Sequence, residues 1–391
     1  MTEVLYSATG KSGRNGASGQ VQKEVFFDMR NLKKVLSLSL ALVMLLGLMV
    51  VGAGAATTFA DLKDKDEISE NYAEAVDLLT ALGVLEGNEN DEFMPTGTLT
   101  REAAAKIVAY LALGVDAAEK LSVTSAPFKD VAANRWSAGY IAYCANVGII
   151  DGDGKGSFYP TQTVTGYQFA KMLLGVLGYG AKDEYVGTNW ALNVATDGVT
   201  VGLFSRLSNV GNTPATREEA AQLAFNALTA NMVTYSELFG TYSEYASGSA
   251  LSGSATLLGD KATNIFNVDS RDVDDDYGLT YHYWYNIGRS ATPITDNYLS
   301  DTILGTVTSG TKGAMYRAYD WDDEVTIIEN GVNVGTISAV SLRNSTDPAA
   351  AYAGQTLNLI DSPDDNAGVD KIVIVTEYLA KVTRVTAATA S

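Results

Sequence analysis

The sequence repeats itself at a fixed distance. Four pairs of identical residues are each separated by the same number of positions. The pairs are Gly83 and Gly148, Phe93 and Phe158, Pro95 and Pro160, and Thr100 and Thr165. A third, looser copy occupies residues 185–228, where the turn before Thr216 is shorter. A short repeated unit cannot bury its apolar face alone, so neighbouring copies must pack together around a shared core.

Each copy predicts two helices joined by a turn. In the first copy, Ala75, Leu78, Leu79 and Leu82 recur at helical spacing, and Gly83 ends the helix. The turn that follows is rich in Gly, Asn and Asp and closes with an aromatic residue near a proline. A Thr then precedes a second apolar helical run.

Helix capping explains the threonine that opens each second helix. Thr100, Thr165 and Thr216 are predicted N-caps, whose hydroxyls accept a hydrogen bond from the first helical turn. Gln168 and Glu219 follow their Thr by three residues and complete capping boxes.

The charged pair after the threonine needs another explanation. Glu102 and Glu218 suit the first turn of a helix, but Arg101 and Arg217 place a cation where the helix dipole disfavours it. The second copy has Gly166 in the position of the arginine. A role outside helix stability is therefore expected for the two arginines.

Together these features resemble the S-layer homology domain. The residues that carry the resemblance are the openings "FAD" and "FKD", Trp136, an apolar helix ending in Gly-Val or Gly-Ile, a Gly/Asp turn with Phe and Pro, and Thr-Arg-Glu. The resemblance covers residues 57–233 and implies three tandem domains, at 57–114, 126–180 and 181–233. It also implies a mainly α, pseudo-threefold helical bundle whose grooves bind secondary cell-wall polysaccharide, often pyruvylated.

The resemblance also implies which residues contact the polysaccharide. Arg101 with Glu102, and Arg217 with Glu218, match the family's Thr-Arg-Ala-Glu motif, although the Ala or its neighbour is replaced or shifted here. Trp136 and Trp190 match the aromatic residue that lines a groove. Guanidinium binds a carboxylate through two parallel hydrogen bonds, and tryptophan offers an apolar face to a sugar ring. The alternative for each arginine is a surface salt bridge to a neighbouring Glu, worth about 0 to 1 kcal/mol.

The second copy departs from this pattern. Gly166 and Tyr167 replace the arginine and its neighbour, so the groove there lacks its anion-binding group. Two interpretations remain open: Tyr167 stacks on a sugar, or this groove is silent.

The first 55 residues read as export sequence. Residues 29–55 have three basic residues, an apolar run and a small-residue end, which is typical of a secretory signal peptide; a membrane span is the alternative. Residues 1–28 are polar and aperiodic, and we interpret them as a non-native or mis-started extension. No second apolar segment of this kind occurs, so we expect no membrane span in the mature chain.

Charge and cysteine content exclude several functions. The chain has 27 basic and 46 acidic residues, a net charge of −19. Such a field repels nucleic acid, which is not an expected partner. The sole cysteine, Cys144, lies in an apolar helical stretch and is predicted to be a buried, inert thiol.

The periodicity changes after residue 233. Residues 234–259 are rich in Gly, Ser, Ala and Tyr and are predicted to be a linker. Residues 260–391 alternate with a period of two, and Asn330-Gly331 is a strong hairpin signal. We therefore predict a β-rich, sandwich-like domain there.

Chemistry in the β-rich region is weakly signalled. The acidic segments at 269–278 and 361–370, like that at 151–158, suggest calcium but lack the ligand order of an EF-hand, so no cofactor is predicted. The aromatic run 281–285 fits either a carbohydrate platform or a strand covered on both faces. His282 is the only histidine and has no implied nucleophile.

The sequence therefore predicts a non-enzymatic, exported protein of the S-layer type, held non-covalently on anionic wall polysaccharide, with an outward structural or interaction module. The alternative is an anchored carrier of a polysaccharide-active or lectin-like C-terminal domain. Self-association in a surface lattice is a further possibility.

Overall fold

The computed structural model describes residues 58–125, 127–208, 210–244, 256–258, 266, 268–275, 278–287, 292–346, 355–362 and 368–376. The predicted extension at 1–28 and the predicted signal peptide at 29–55 lie outside these residues.

Three pairs of helices form the first part of the described chain. The first unit has α1 (Glu70–Ala81) and α2 (Arg101–Leu113), followed by the short α3 (Val115–Ala118); the second has α4 (Ala138–Asn146) and α5 (Gly166–Leu177); the third has α6 (Trp190–Thr200) and α7 (Arg217–Thr229). Two 3-10 turns, Phe59–Asp61 and Lys65–Glu67, precede α1. Two helices per copy, joined by a turn, confirm the prediction from the repeat.

The capping predictions are also confirmed. The Thr100, Thr165 and Thr216 hydroxyls each accept a hydrogen bond from the backbone N–H three residues on, at 3.3, 3.2 and 3.2 Å. The side chains of Gln168 and Glu219 in turn accept a hydrogen bond from the backbone N–H of Thr165 and Thr216, which completes both capping boxes.

A closed ring of backbone hydrogen bonds joins the three units. The residues just before the N-caps form it: Leu99 N–H donates to Ala215, Ala215 N–H to Val164, and Val164 N–H to Leu99, each at 3.0 Å. All three side chains are buried. Each unit thus contacts both others about a common centre, which is the pseudo-threefold arrangement expected from the resemblance.

The helices of different units interlock. The first helix of each unit packs against the second helix of the preceding one: α4 on α2, α6 on α5, and α1 on α7. One apolar core fills the centre, with Leu78, Phe93, Phe158 and Phe169 among its fully buried side chains. The grooves between units are therefore fixed by core packing.

The described strands of the second part form three sheets. A hairpin of β1 (Val233–Ser236) and β2 (Thr241–Glu244) occupies the start of the predicted linker. Next comes a three-stranded antiparallel sheet of β3 (Val268–Asp274), β4 (Thr280–Asn286) and β5 (Tyr298–Leu299). The predicted linker therefore begins with ordered β-structure.

The third sheet is mixed and five-stranded. Its members are β6 (Thr302–Val307), β7 (Trp321–Glu329), β8 (Val332–Ser338), β9 (Gln355–Asp361) and β10 (Val369–Thr376), in the order β6-β9-β10-β7-β8. β10 runs parallel to β7, and the other neighbours are antiparallel. Asn330 and Gly331 turn β7 into β8 with φ of 49° and 82°, which confirms the predicted hairpin.

The β-rich prediction is confirmed, but the described sheets do not share one sandwich core. Trp284 and Val268 of the three-stranded sheet belong to the helical core. The five-stranded sheet has its own core, completed by α8 (Lys312–Tyr316) and α9 (Ala339–Asn344) through Met315 and Leu342. Among the described residues, no helix has the length and hydropathy to cross a bilayer.

Candidate functional site

Arg101 reaches from the first unit into the turn of the second. Its Nε donates to the carbonyl oxygen of Phe158 at 2.7 Å, and its Nη2 donates to that of Asp151 at 3.2 Å. The guanidinium carbon lies 4.5 Å from the centroid of the Phe158 ring. The helix entrance thus aims the cation into a cleft between units.

Arg217 repeats this arrangement between the third unit and the first. Its Nε donates to Phe93 O at 2.6 Å and its Nη2 to Glu86 O at 3.3 Å, with the guanidinium 5.0 Å from the Phe93 ring centroid. Two inter-unit clefts therefore hold an arginine in the same pose.

Neither arginine pairs with a carboxylate in the described part of the chain. Burial lowers the pKa of both guanidiniums below the ordinary value, and the charges of Asp130 near Arg101 and Asp64 near Arg217 offset only part of this effect. Each uses two of its donors on carbonyl oxygens, and a guanidinium has five. The described residues therefore do not form the surface salt bridge that was the alternative role for each arginine.

The carbonyls that hold the arginines belong to stiffened turns. Asp130 accepts the N–H groups of Phe158 and Tyr159, both at 2.8 Å, and Tyr159 has a φ of 60°. Burial would raise the pKa of Asp130, but these two N–H donors lower it below its ordinary value.

Asp64, not Asp61, does this work in the first unit. It accepts from Phe93 N–H at 2.7 Å and Met94 N–H at 2.6 Å. Asp61 instead caps its own 3-10 turn by accepting from Thr58. The match of "FAD" with "FKD" is therefore wrong. The equivalent of "FKD" in the first unit is "LKD", which begins three residues later, and the aromatic Phe59 caused the mismatch because the equivalent position holds Leu62.

A lysine accompanies each arginine, and sequence reasoning missed both. Lys171 lies 3.4 Å from Asp151, and Lys106 lies 3.2 Å from Glu86. Asp151 and Glu86 are the residues whose carbonyls hold the arginines. The same repeat offset that relates the threonines relates these lysines, so the signal was in the sequence.

Arg101 lies in an open cleft to which all three units contribute. It encloses about 450 Å³ and is lined by all three units: Arg101 from the first, Phe158, Tyr159 and Lys171 from the second, and Tyr185 and Trp190 from the third. Trp190 opens α6, so the packing of α6 on α5 brings it to the arginine.

Trp136 is connected to Arg217 through a series of neighbouring side chains. Its side chain is 56% exposed and lies beside Tyr140, which packs edge-on against Tyr110. Lys106 lies 5.1 Å from the Tyr110 ring centroid and pairs with Glu86, whose carbonyl binds Arg217. A continuous run of contacts thus links Trp136 to the Arg217 cleft.

The third inter-unit position is filled by protein. Gly166 lies against the short turn of the third unit, where an added Cβ would meet Val210 Cγ1 at 2.9 Å. The remaining space is about 10 Å³, which is room for about one water molecule and not for a sugar ring. Tyr167 packs on Phe204, 6.1 Å between ring centroids. Of the two open interpretations, this packing favours the silent groove.

The two glutamates lie behind the arginines. Glu102 is buried and accepts from Arg135 at 2.7 Å through both oxygens and from the Ser137 hydroxyl at 2.6 Å. Burial would raise the pKa of Glu102, but these donors lower it below its ordinary value. Glu218 accepts from Ser69 N–H and the Ser69 hydroxyl, at 3.0 and 3.1 Å. Both therefore tie a second helix to the start of the next unit's first helix.

Other residues considered from the sequence have structural surroundings. Cys144 is buried, and burial raises its pKa to about 12, which confirms an inert thiol. The Asp153 carboxylate in the acidic turn accepts the N–H groups of Lys155 and Ser157. No cluster of three His, Cys, Asp or Glu side chains suited to a metal occurs among the described residues.

Two segments of the chain match a known domain family. Residues 61–105 and 127–170 match the S-layer homology domain, in agreement with the first two helical units. The chain therefore carries two segments similar to this domain.

Several named proteins are similar to it. A cell surface protein of Thermoanaerobacter kivui is 29% identical over 207 residues, covering 53% of this chain and 26% of the relative. An S-layer protein of Bacillus licheniformis is 32% identical over 213 residues, covering 50% and 22%. An amylopullulanase of Thermoanaerobacterium thermosulfurigenes is 28% identical over 188 residues, covering 44% and 9%. The chain thus spans about a quarter of the length of the first two relatives.

Proposed function

We propose that this protein is held at the cell surface by binding an anionic wall polysaccharide in its Arg101 and Arg217 clefts. The observation that carries the proposal is the pair of half-buried guanidiniums, each between two units and without a carboxylate partner among the described residues. All three helical units contribute, and we assign the third to the same domain family.

The chemistry of the clefts suits a sugar acid such as a pyruvate ketal. A guanidinium whose Nε and one Nη are fixed on carbonyls presents its remaining donors in one plane, which matches the two oxygens of a carboxylate. The nearby lysine adds a second cation, and Trp190 or Trp136 provides an aromatic face for the ring. Asp151 and Asp153 also line the Arg101 cleft, and Lys171 pairs with Asp151. Acidic residues further than about 8 Å away are screened at physiological salt.

The glutamates serve this site indirectly in our proposal. Their oxygens are occupied by serine and arginine donors, so Glu102 and Glu218 position the helix entrance instead of contacting the glycan. Tyr167 has no role in binding.

Retention on purified wall sacculi, with and without attached polysaccharide, tests the proposal. Arg101→Gln and Arg217→Gln in the full chain should each weaken retention about tenfold or more, since a charge-assisted pair contributes about 1.5–3 kcal/mol. Arg343→Gln is the matched control, because Arg343 is an exposed arginine on α9. Equal retention of all three variants, or undiminished retention on stripped sacculi, would refute the anchor.

A second candidate function is self-association in a surface lattice. The outer strands of the five-stranded sheet, β6 and β8, carry no charged residue and expose Ile303, Leu304, Val332 and Val334. Charged residues and prolines normally protect such edges from pairing with another copy. β8 of one copy would run antiparallel to β6 of the next.

Light scattering of the mature chain, with and without calcium, tests this second function. Val334→Lys should lower the apparent mass if β8 pairs with another copy. Val340→Lys, at an exposed site on α9, is the control. A monomer at all concentrations would exclude lattice formation through these edges.

The carrier alternative is supported by the amylopullulanase among the similar proteins. A hydrolysis screen of the full chain on wall polysaccharides addresses it. Turnover abolished by removing a single carboxylate would favour an enzyme over a structural module.

A further inference from the structure

The helical core does not end with the third unit. Phe225 of α7 packs edge-on against Trp284 of β4, with 5.8 Å between ring centroids. Leu257, Leu258 and Val268 are buried in the same core. The three-stranded sheet therefore shares its interior with the helices, whereas the five-stranded sheet has a separate core.

A buried carboxylate on α1 lies at the centre of this contact. Glu74 is only 4% exposed and accepts three hydrogen bonds. The donors are Arg206 Nη1 at 2.5 Å, His282 Nε2 at 2.6 Å and Trp284 Nε1 at 3.1 Å. Two of the three donors come from β4. Although burial would raise the pKa of Glu74, His282 and Arg206 lower it to about 2.

A second carboxylate lies one turn further along α1. Asp77 is 3% exposed and accepts from Asp296 N–H at 2.8 Å and from the Tyr298 hydroxyl at 2.7 Å. Both donors belong to the segment that forms β5. Both buried carboxylates of α1 are thus satisfied by donors of the three-stranded sheet and its flanking residues, with Arg206 as a further donor to Glu74.

The alternation of β4 fits this docking. His282 and Trp284 lie on one face of the strand and both reach Glu74. His282 Nδ1 contacts the Ser300 hydroxyl at 2.8 Å, just beyond β5. A buried carboxylate without donors is costly, and removal of this sheet would leave Glu74 with Arg206 alone and would take both donors from Asp77.

We propose that the face of α1 around Glu74 and Asp77 is a docking surface dedicated to the β3–β5 sheet. The wall-binding body, which rests on the proposed function, then extends from residue 58 to residue 299. The five-stranded sheet alone is the outward module. Lys371 of β10 joins it to this body, because its Nζ donates to Thr280 Oγ1 of β4 at 3.3 Å and pairs at 3.0 Å with buried Asp301, which also accepts from Thr280 N–H.

Hydrogen exchange of the full chain, read by mass spectrometry, tests this docking. Glu74→Gln should raise exchange at least tenfold in β4 and β5, while the five-stranded sheet and α5 keep their protection. Glu70→Gln is the matched control, since Glu70 is exposed on the same helix. Trp284→Phe keeps an aromatic side chain but removes the Nε1 donor, and a smaller increase of about threefold confined to β4 is expected.

Two results would overturn the docking surface. One is unchanged exchange in β4 and β5 of Glu74→Gln and Trp284→Phe; the other is an equal rise in both sheets, which would mean general destabilisation. Should Glu74→Gln fail to fold, Trp284→Phe decides alone. Sacculus retention of the same variants is measured separately, so loss of docking and loss of wall binding can be told apart.

Discussion

A guanidinium at the first position of a helix faces the positive end of the helix dipole, so Arg101 and Arg217 must gain elsewhere what they lose there. Their partners are backbone carbonyls of the neighbouring unit and the face of a phenylalanine ring. Those carbonyls are presented by turns that Asp130 and Asp64 stiffen. A single residue type thus connects the helix entrance, the inter-unit contact and the proposed ligand.

Restoring the missing arginine should not restore a third binding cleft. Gly166→Arg is expected to lower the free energy of unfolding by about 1–3 kcal/mol, because even a Cβ there meets Val210 Cγ1 at 2.9 Å. Gly211→Ala, where a Cβ meets nothing within 4 Å, is the control. Thermal unfolding and sacculus retention measure both effects, and stronger retention by Gly166→Arg would contradict the closed third position.

At the scale of the helix, each of α2 and α7 begins with N–H groups whose acceptors lie in a neighbouring unit. The N–H groups of Arg101 and Glu102 donate to Gln162 O and Pro160 O of the second unit, at 2.8 and 3.0 Å. Arg217 and Glu218 donate to Gly97 O and Pro95 O of the first, at 2.7 and 3.1 Å. The orphan donors of a helix N-terminus are therefore part of the contact between units.

Removing a helix N-cap should lower the stability of the three helical units. Thr216→Ala is expected to cost about 1 kcal/mol, because the Glu219 N–H loses its acceptor. Thr161→Ala, at an exposed turn position, should change stability by less than about 0.5 kcal/mol. Chemical denaturation followed by circular dichroism gives both values, and equal values for the two variants would argue against the capping role.

The helices, caps and Asn-Gly hairpin were predictable because their signals are local. The pairing of Arg101 with a cleft lined by Trp190 was not, since it depends on α6 packing against α5 across a long stretch of sequence. Lys106 and Lys171 could have been found from the repeat itself. Glu74 could not, because an acidic residue among apolar neighbours gives no hint of donors more than two hundred positions away.

For the whole molecule, the contact between helices and sheet should depend on pH. The pKa of Glu74 is lowered from 4.5 to about 2, so its stabilising contribution is present above pH 4.5 and is lost as the pH falls toward 2. The loss amounts to up to about 3 kcal/mol. Burial raises the pKa of Asp77, so protonation of that group favours the folded state and partly offsets the loss.

Acid titration of the folded chain, followed by tryptophan fluorescence, checks this dependence. Glu74→Gln should be less stable than the wild type near neutral pH and should change less between pH 4.5 and 2. A variant with the same acid profile as the wild type would mean that other carboxylates control acid unfolding.

The filled third position has a consequence for how the protein would leave a surface. With two occupied clefts, the first release leaves the chain tethered, and the free cleft can rebind at the high local concentration that tethering creates. Detachment then requires both contacts to open within the same short interval. Under the proposed function, each single contact can therefore be weak and exchangeable while the chain as a whole stays bound.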